Sequence, residues 1–400
     1  MSLFNPDTRA LVVAVTLTTL LQALVSMAAF SPPLLAPAAQ TDIGISASAI
    51  GIVITLIYIA ASLSAPRGGA LVARYGPLRV SQHSLAWSAG GIILFAVASP
   101  AVCVLGAFML GIGYGPITPA SSAILSTRAP ERVRNFVMSI RQTGVPLGGA
   151  LAGALVPILI VNHGWRTAAV SVGVLCLLLA CAVQPQRELY DAGRLASPQA
   201  ERVSHMALLR LVFAAPALRE LAMISFAYAA VQVCFTSYLV VFLIERAGLT
   251  VVTAGAVFSA AMIAGIVGRI VWGAVADILG NARKVLGLLG IVMAASAFVM
   301  TQVSAQWSYA GMLAVAVVFG ASAIGWNGVF VAEVARIAPD GDIARATGAT
   351  LGMTYFGVVV GPFVYWAIVF VSASYAVAFA TMGVAAMLAG IACFRVPGRR

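Results

Sequence analysis

The segment Ser139-Ile140-Arg141-Gln142-Thr143-Gly144-Val145-Pro146-Leu147-Gly148-Gly149 puts a guanidinium inside a stretch that otherwise reads as lipid-buried helix. Counted from Arg134 at 1.5 Å per residue, Arg141 lies roughly 10 Å into its apolar run. An arginine near the bilayer centre costs about 2.5–3.5 kcal/mol on insertion scales. Two arrangements offset that cost. The side chain can snorkel to the headgroups, or it can line a water-filled cavity and meet an anion. Arginine grips carboxylates through two parallel hydrogen bonds, so the ligand matching the second arrangement is a small organic anion, a monocarboxylate.

The remaining polar groups within apolar runs are neutral. Gln22 and Ser26 share one helical face, and Tyr228, Gln232 and Thr236 share another at i, i+4, i+8. Tyr114, Asn327 and Tyr355 stand in further runs. Taken singly, each such residue is more often a helix–helix contact than a ligand; Gln22 and Gln232 gain weight from their matched positions. No Asp or Glu stands mid-span, and His83, His163 and His205 lie in or near loops. That leaves no catalytic constellation, no metal-ligand set, no cofactor and no proton relay built from side chains. Protons as the coupling ion would travel with the anion itself or by exchange. The five cysteines, all in apolar segments, read as small buried hydrophobes.

These residues need a membrane scaffold. Of the 400 residues 62% are apolar and 9% charged, with a mean hydropathy of +1.03. A soluble domain averages about 25% charged residues, so this chain could not cover a surface in water. Twelve apolar runs, at 10–36, 46–66, 80–98, 102–126, 135–161, 166–184, 217–244, 251–272, 284–303, 307–333, 346–371 and 373–394, each suffice for a bilayer span. They are too long and continuous for barrel strands, so the fold class is an all-α membrane protein. The first run is too long for a signal peptide and continues toward the second.

With the N-terminus placed in the cytoplasm, 20 of the 23 basic residues fall in inner segments, two in outer loops (Arg166 and Arg246), and Arg141 within a span. That asymmetry predicts a multi-pass protein of the inner, cytoplasmic membrane with both termini cytoplasmic. It also accounts for the net charge of +11 without nucleic acid. The polar segment 185–216 reads as a cytoplasmic linker between an N-terminal six-helix bundle, 1–184, and a C-terminal one, 217–400. The halves look duplicated. Arg9 precedes Gln22 by 13 residues, as Arg219 precedes Gln232, and "GALVARYG" (69–76) corresponds to "GAVADILG" (273–280). Internal duplication of a helical bundle is a mark of secondary transporters, which bind their substrate at the interface between repeats.

Twelve spans in a 6+6 arrangement, with a loop of the form G-x-L-x-D-R-x-G-x-x-R after span two, resemble the major facilitator superfamily. The loop here runs from Gly69 to Arg79, with Ala73 where the family has aspartate; the second copy keeps the acid as Asp277, with Gly273, Gly280 and Arg283. "HGWR" (163–166) is similar to the family's opening of span six, and "RQTGVPLGG" is similar to bacterial permeases of the cyanate-permease-like group. The resemblance implies two pseudo-symmetric bundles that rock about a central cavity lined by spans one, four, seven and ten. It implies gating roles for Asp277 and Arg74, with Arg269 and Arg283 as candidate partners of Asp277. It also implies that spans five and eleven, which hold Gly144/Gly148 and Gly357/Gly361, pack across the halves, where small residues allow close approach.

The functional expectation is a monomeric secondary transporter that moves a small organic anion by alternating access, with Arg141 as the anion-binding group. The alternative is a proton-coupled exporter of drugs or metabolites. Cationic drugs would call for an acid in the cavity, and none is evident. A membrane-embedded enzyme lacks its catalytic groups, and a flux-free sensor would want a larger cytoplasmic domain.

Overall fold

The computed structural model describes residues 6–192, 215–338 and 343–395. Most of the expected linker, 193–214, lies outside the described residues, as do the C-terminal Arg399 and Arg400. Every regular element described is helical. In order these are α1 (Pro6–Ile43), α2 (Ile50–Ser64), α3 (Gly68–Tyr75), α4 (Pro77–Phe95), α5 (Pro100–Ser126), α6 (Glu131–Gln142), α7 (Gly144–Ala182), α8 (Arg187–Asp191), α9 (Pro216–Glu245), α10 (Val251–Leu279), α11 (Ala282–Met300), α12 (Tyr309–Ala323), α13 (Trp326–Ile337), α14 (Ile343–Ser372) and α15 (Tyr375–Arg395).

Apolar runs of this length become helices because lipid offers no partner to a free backbone amide or carbonyl. Local chemistry sets the starts. Pro77, Pro100 and Pro216 open α4, α5 and α9, where a missing N–H costs nothing. Thr250, Asn281 and Ser308 accept from backbone N–H groups in the first turns of α10, α11 and α12. Helix α1 carries Pro32, Pro33 and Pro37 internally and runs on to Ile43, beyond the end expected near 36.

Ten stretches are long and apolar enough to cross a membrane, against twelve expected. The difference has two physical sources. The stretch Glu131–Asp191 counts once although it has 61 residues, about 90 Å of helix. Gly164, at φ 80°, interrupts it between the fifth and sixth expected spans. Helix α4, the expected third span, has 19 residues and carries Arg79, Gln82 and His83 near its start, which lower its hydropathy.

The helices gather into two compact units. Unit 1 comprises Met1–Ala47 and Leu56–Ala200; unit 2 comprises Ser48–Thr55 and Glu201–Arg400. In unit 1, α1 packs on α7, and α4 packs on α5 and α7. In unit 2, α9 packs on α14, α11 on α15, and α10 on α12. Equivalent spans therefore pair in each unit. A polar clamp repeats as well. Asp42, at the end of α1, accepts from Trp165 Nε1 and pairs with Arg166, both at 3.0 Å. Glu245, at the end of α9, accepts from the Tyr375 hydroxyl at 2.7 Å.

Of the glycines expected to mediate packing across the halves, Gly148 and Gly357 each close on a helix of their own unit. A methyl group on Gly148 would overlap the Ala23 carbonyl of α1, and one on Gly357 would overlap the Phe226 carbonyl of α9. Gly348 and Gly352 face open space. Absent side chains thus bring α7 onto α1, and α14 onto α9, at backbone distance. Gly148→Ala is expected to destabilise unit 1 by about 1–3 kcal/mol, the range for overpacking a tight contact. It should show as a lower midpoint of thermal unfolding in detergent, whereas Gly348→Ala should leave the midpoint in place.

Candidate functional site

In unit 1, Thr18, Gln22 and Ser26 lie one turn apart on α1, and all are buried. Thr18 returns its hydroxyl to the Ala14 carbonyl at 2.8 Å. Gln22 faces the junction of α6 and α7. There α6 ends at Gln142 and α7 begins at Gly144, with the single turn residue Thr143 (φ −67°, ψ −16°) between them and Arg141 in the last turn of α6. Arg141 is 4% exposed. Its Nη1 donates to Gln22 Oε1 at 3.2 Å, and Gln22 Nε2 donates to Ser26 Oγ at 3.1 Å. A snorkelling arginine would be exposed along its length; this one turns into the protein onto α1. Beside this pair Gly144, where an added methyl would meet Thr19 O and the Gln22 side chain, lets α7 lie close on α1. Helices α1, α2, α5 and α7 contain no Asp or Glu between residue 8 and Asp42, or within 50–64, 100–126 and 144–182.

Gln22 is engaged at both ends of its amide, with its oxygen on Arg141 and its nitrogen on Ser26. It orients the guanidinium and passes polarity to Ser26. Tyr114, on α5, sits edge-on to Tyr58 with ring centroids 5.9 Å apart.

Unit 2 holds a second polar group, at a helix break. Between α12 and α13, Ile324 and Gly325 interrupt the expected tenth span. The carbonyls freed there are met by α10: Arg269 Nε donates to Ile324 O, and Trp272 Nε1 donates to Ala321 O, each at 3.1 Å. Just past the break, Trp326 Nε1 and Asn327 Nδ2 both donate to Gln232 Oε1 of α9, at 3.0 and 3.2 Å. Trp326 is 1% exposed, while Gln232 and Asn327 are half-buried. Two matched glutamines thus stand beside two helix junctions.

The other expected site residues sit differently. Tyr228 is fully buried, and its hydroxyl donates to the Leu286 carbonyl of α11 at 2.7 Å, so it fastens α9 to α11 and offers nothing to a solute. Thr236 donates back to Val233 O on its own helix at 3.2 Å. Tyr355 lies on α14 with 43% of its surface exposed.

The gating set divides too. Arg283 pairs with Glu220, at the start of α9, and not with Asp277. The reason is the turn at Asn281, which caps α11 and carries Arg283 into the bundle, where it is 6% exposed. Arg269 is engaged by the break at Ile324. Asp277 is exposed, and among the described residues its carboxylate makes no ion pair. Arg74 is exposed, its guanidinium 5.1 Å from the Tyr75 ring centroid.

Two polar contacts gave no local signal in the sequence. Asp191 of α8, in the segment read as linker, accepts from the backbone N–H of Leu78 at 2.8 Å and of Arg79 at 3.3 Å, at the start of α4. A carboxylate there meets the positive end of the helix dipole, in the loop copy that has Ala73 in place of aspartate. Glu333, 1% exposed on α13, receives two 2.7 Å hydrogen bonds from Arg336.

Two helical units, with ten stretches long and apolar enough to cross a membrane, describe a multi-pass membrane protein. The chain belongs to the Major Facilitator Superfamily, whose family profile matches residues 17–362. It is 27% identical over 143 residues to a probable sulfoacetate transporter, SauU, of Cupriavidus necator, a match covering 36% of this chain and 33% of that protein. It is 26% identical over 147 residues to a hexuronate transporter of Bacillus subtilis, covering 36% of this chain and 35% of that one. Each match thus spans about a third of the relative's length. In three dimensions the chain resembles the crystal structure of a variant of the nucleoside transporter NupG, with a TM-score of 0.75 at 15% identity over 95% of this chain and 99% of the other. That likeness concerns the fold.

Proposed function

We propose that this protein is a secondary active transporter that carries a small organic anion, a monocarboxylate, across the cytoplasmic membrane by alternating access, with Arg141 as its anion-binding group. The observation that carries the reading is the burial of Arg141 at the junction of α6 and α7, with the neutral amide of Gln22 orienting its guanidinium. A guanidinium so held is ready for a carboxylate before the anion arrives, which spares the cost of ordering it on binding. The names of the two relatives, sulfoacetate and hexuronate transporters, are those of carriers of organic anions and support the same class. The distribution of basic residues supports cytoplasmic termini. We take the carrier to work as a monomer. Proton coupling, in this reading, passes through the anion itself.

The test is uptake by proteoliposomes of labelled short carboxylates and of their neutral amides. Saturable uptake of at least one acid, inhibited by other acids and not by amides, is the expected result. Flux of cationic dyes without flux of acids would replace the reading with the export alternative.

Asp277 retains a proposed gating role, supported by its exposed carboxylate beside the left-handed Gly280 (φ 57°) that ends α10. Asp277→Asn is expected to slow transport severalfold while leaving the unfolding midpoint unchanged, since no folded contact is lost. Wild-type transport rates in that variant would remove the role.

A further inference from the structure

The start of α4, in unit 1, gathers more positive charge than its own contacts use. Asp191 seats α8 there. Its Oδ1 accepts from Leu78 N at 2.8 Å, and its Oδ2 takes both Arg79 N at 3.3 Å and Arg187 Nε at 3.5 Å. One carboxylate oxygen therefore brings Arg79 and Arg187 to the same place. Arg128 holds the same short helix, its guanidinium 4.5 Å from the Tyr190 ring centroid and its Nη2 donating to Leu189 O at 3.1 Å. Arg79 spends Nη1 on Gln82 Oε1 at 3.4 Å. Its Nε and Nη2, and both Nη groups of Arg187, make no further bond among the described residues. Asp191 is 6% exposed and already engaged by three donors. Glu188, exposed on α8, forms no ion pair with either arginine.

The charges of Arg79 and Arg187 both act on the imidazole of His83, which is exposed one turn along α4 from Arg79. Tyr75 meets that imidazole edge-on, with ring centroids 6.1 Å apart. A further turn along stands Trp87, 44% exposed. Arg79, His83 and Trp87 thus follow one another at i, i+4, i+8 on one face of an expected span. An indole left open on an apolar span faces acyl chains, and tryptophan favours the level of the headgroups. Cations at the helix start and an open indole two turns further in repeat the order of a phospholipid, phosphate first and acyl chain after. We propose that this face of unit 1 binds an anionic phospholipid, with its phosphate on Arg79 and Arg187 and an acyl chain along Trp87. Guanidinium groups suit a phosphate because each can offer it two parallel N–H bonds. A free phosphate shares that chemistry, but the exposed stripe beyond the arginines gives it nothing. A zwitterionic headgroup brings its own ammonium against the arginines, so a headgroup without a cation fits better.

The experiment is native mass spectrometry of the purified full-length protein in neutral detergent, titrated with dioleoylphosphatidylglycerol and, separately, with dioleoylphosphatidylcholine. The first phosphatidylglycerol is expected to bind about tenfold tighter or more than the first phosphatidylcholine, the scale of two basic residues at an anionic membrane surface. Arg79→Gln and Arg187→Gln should each weaken phosphatidylglycerol about fivefold and leave phosphatidylcholine where it was. Arg79→Gln keeps the backbone N–H that Asp191 holds, so α8 stays docked and the unfolding midpoint without lipid should not move. Arg132→Gln removes an exposed arginine of α6 that lies outside the cluster, and should keep the preference. Equal affinity for the two lipids, or a preference untouched by both cluster variants, overturns the proposal. So does an equal loss in Arg132→Gln, which would reduce the effect to diffuse surface charge. An unfolding midpoint raised by inorganic phosphate and not by phosphatidylglycerol would assign the arginines to a soluble anion and overturn the lipid reading as well.

Discussion

Arg141→Lys is expected to raise KM for the transported anion about 10- to 100-fold, the equivalent of a charged hydrogen bond worth about 1.5–3 kcal/mol, with a smaller change in the maximal rate. Lysine keeps the charge but loses the planar fork that holds a carboxylate through two bonds. It also loses the reach from the last turn of α6 to Gln22 Oε1, now spanned at 3.2 Å. Arg141→Ala should abolish measurable uptake. Gln22→Leu should fall between the two, because it leaves the guanidinium in place but no longer oriented and strands the Ser26 hydroxyl. The order Arg141→Ala worse than Gln22→Leu, and Gln22→Leu worse than Arg141→Lys, belongs to an oriented anion site. If the guanidinium served only to hold α6 against α1, all three variants would instead lower stability and leave KM unchanged.

The second large effect concerns unit 2. Arg283 and Glu220 form a pair whose side chains are 7% and 20% exposed. Removing one partner of a buried pair costs about 3–5 kcal/mol because the other charge is left without compensation. Arg283→Met should fall toward the lower end of that range, since Glu220 retains some access to water. The double variant Arg283→Met/Glu220→Leu should recover most of the loss, as both charges are then gone. Thermal unfolding in detergent reads both outcomes. Equal destabilisation in the single and double variants would show that Arg283 acts by packing alone. Set beside Asp277→Asn, which should change rate and not stability, this separates a structural strut from a moving contact within one loop motif.

The scaffold was legible for elementary reasons. Apolar runs of about 20 residues have few folds open to them in lipid, and the basic residues fall between those runs. The chemistry of Arg141 and Gln22 was visible because a charged group within apolar sequence must be accommodated. Their direct hydrogen bond was not, since it joins residues 119 positions apart and depends on the α6–α7 junction. The glycines announced that helices touch at backbone distance, but small residues do not say which helix they touch; Gly148 meets Ala23 of α1. Tyr228 shared a helical face with Gln232, yet spacing could not show that its hydroxyl would be taken by Leu286 on another helix. Nor could it show that Arg283 would choose Glu220, 63 residues away, over the nearby Asp277. Trp326 became important only with its indole aimed at Gln232, and that aim depends on where α12 ends and α13 begins.

The most direct single measurement is the affinity of one transported acid for wild-type and Arg141→Ala protein, compared by calorimetry at matched pH and salt. A loss of about 100-fold, the scale of a bidentate charged contact, with an unaltered unfolding midpoint in the absence of acid, is what a guanidinium seated on Gln22 to receive the anion predicts. Equal affinity in the two proteins would contradict it and leave the buried arginine as a structural tie between α6 and α1.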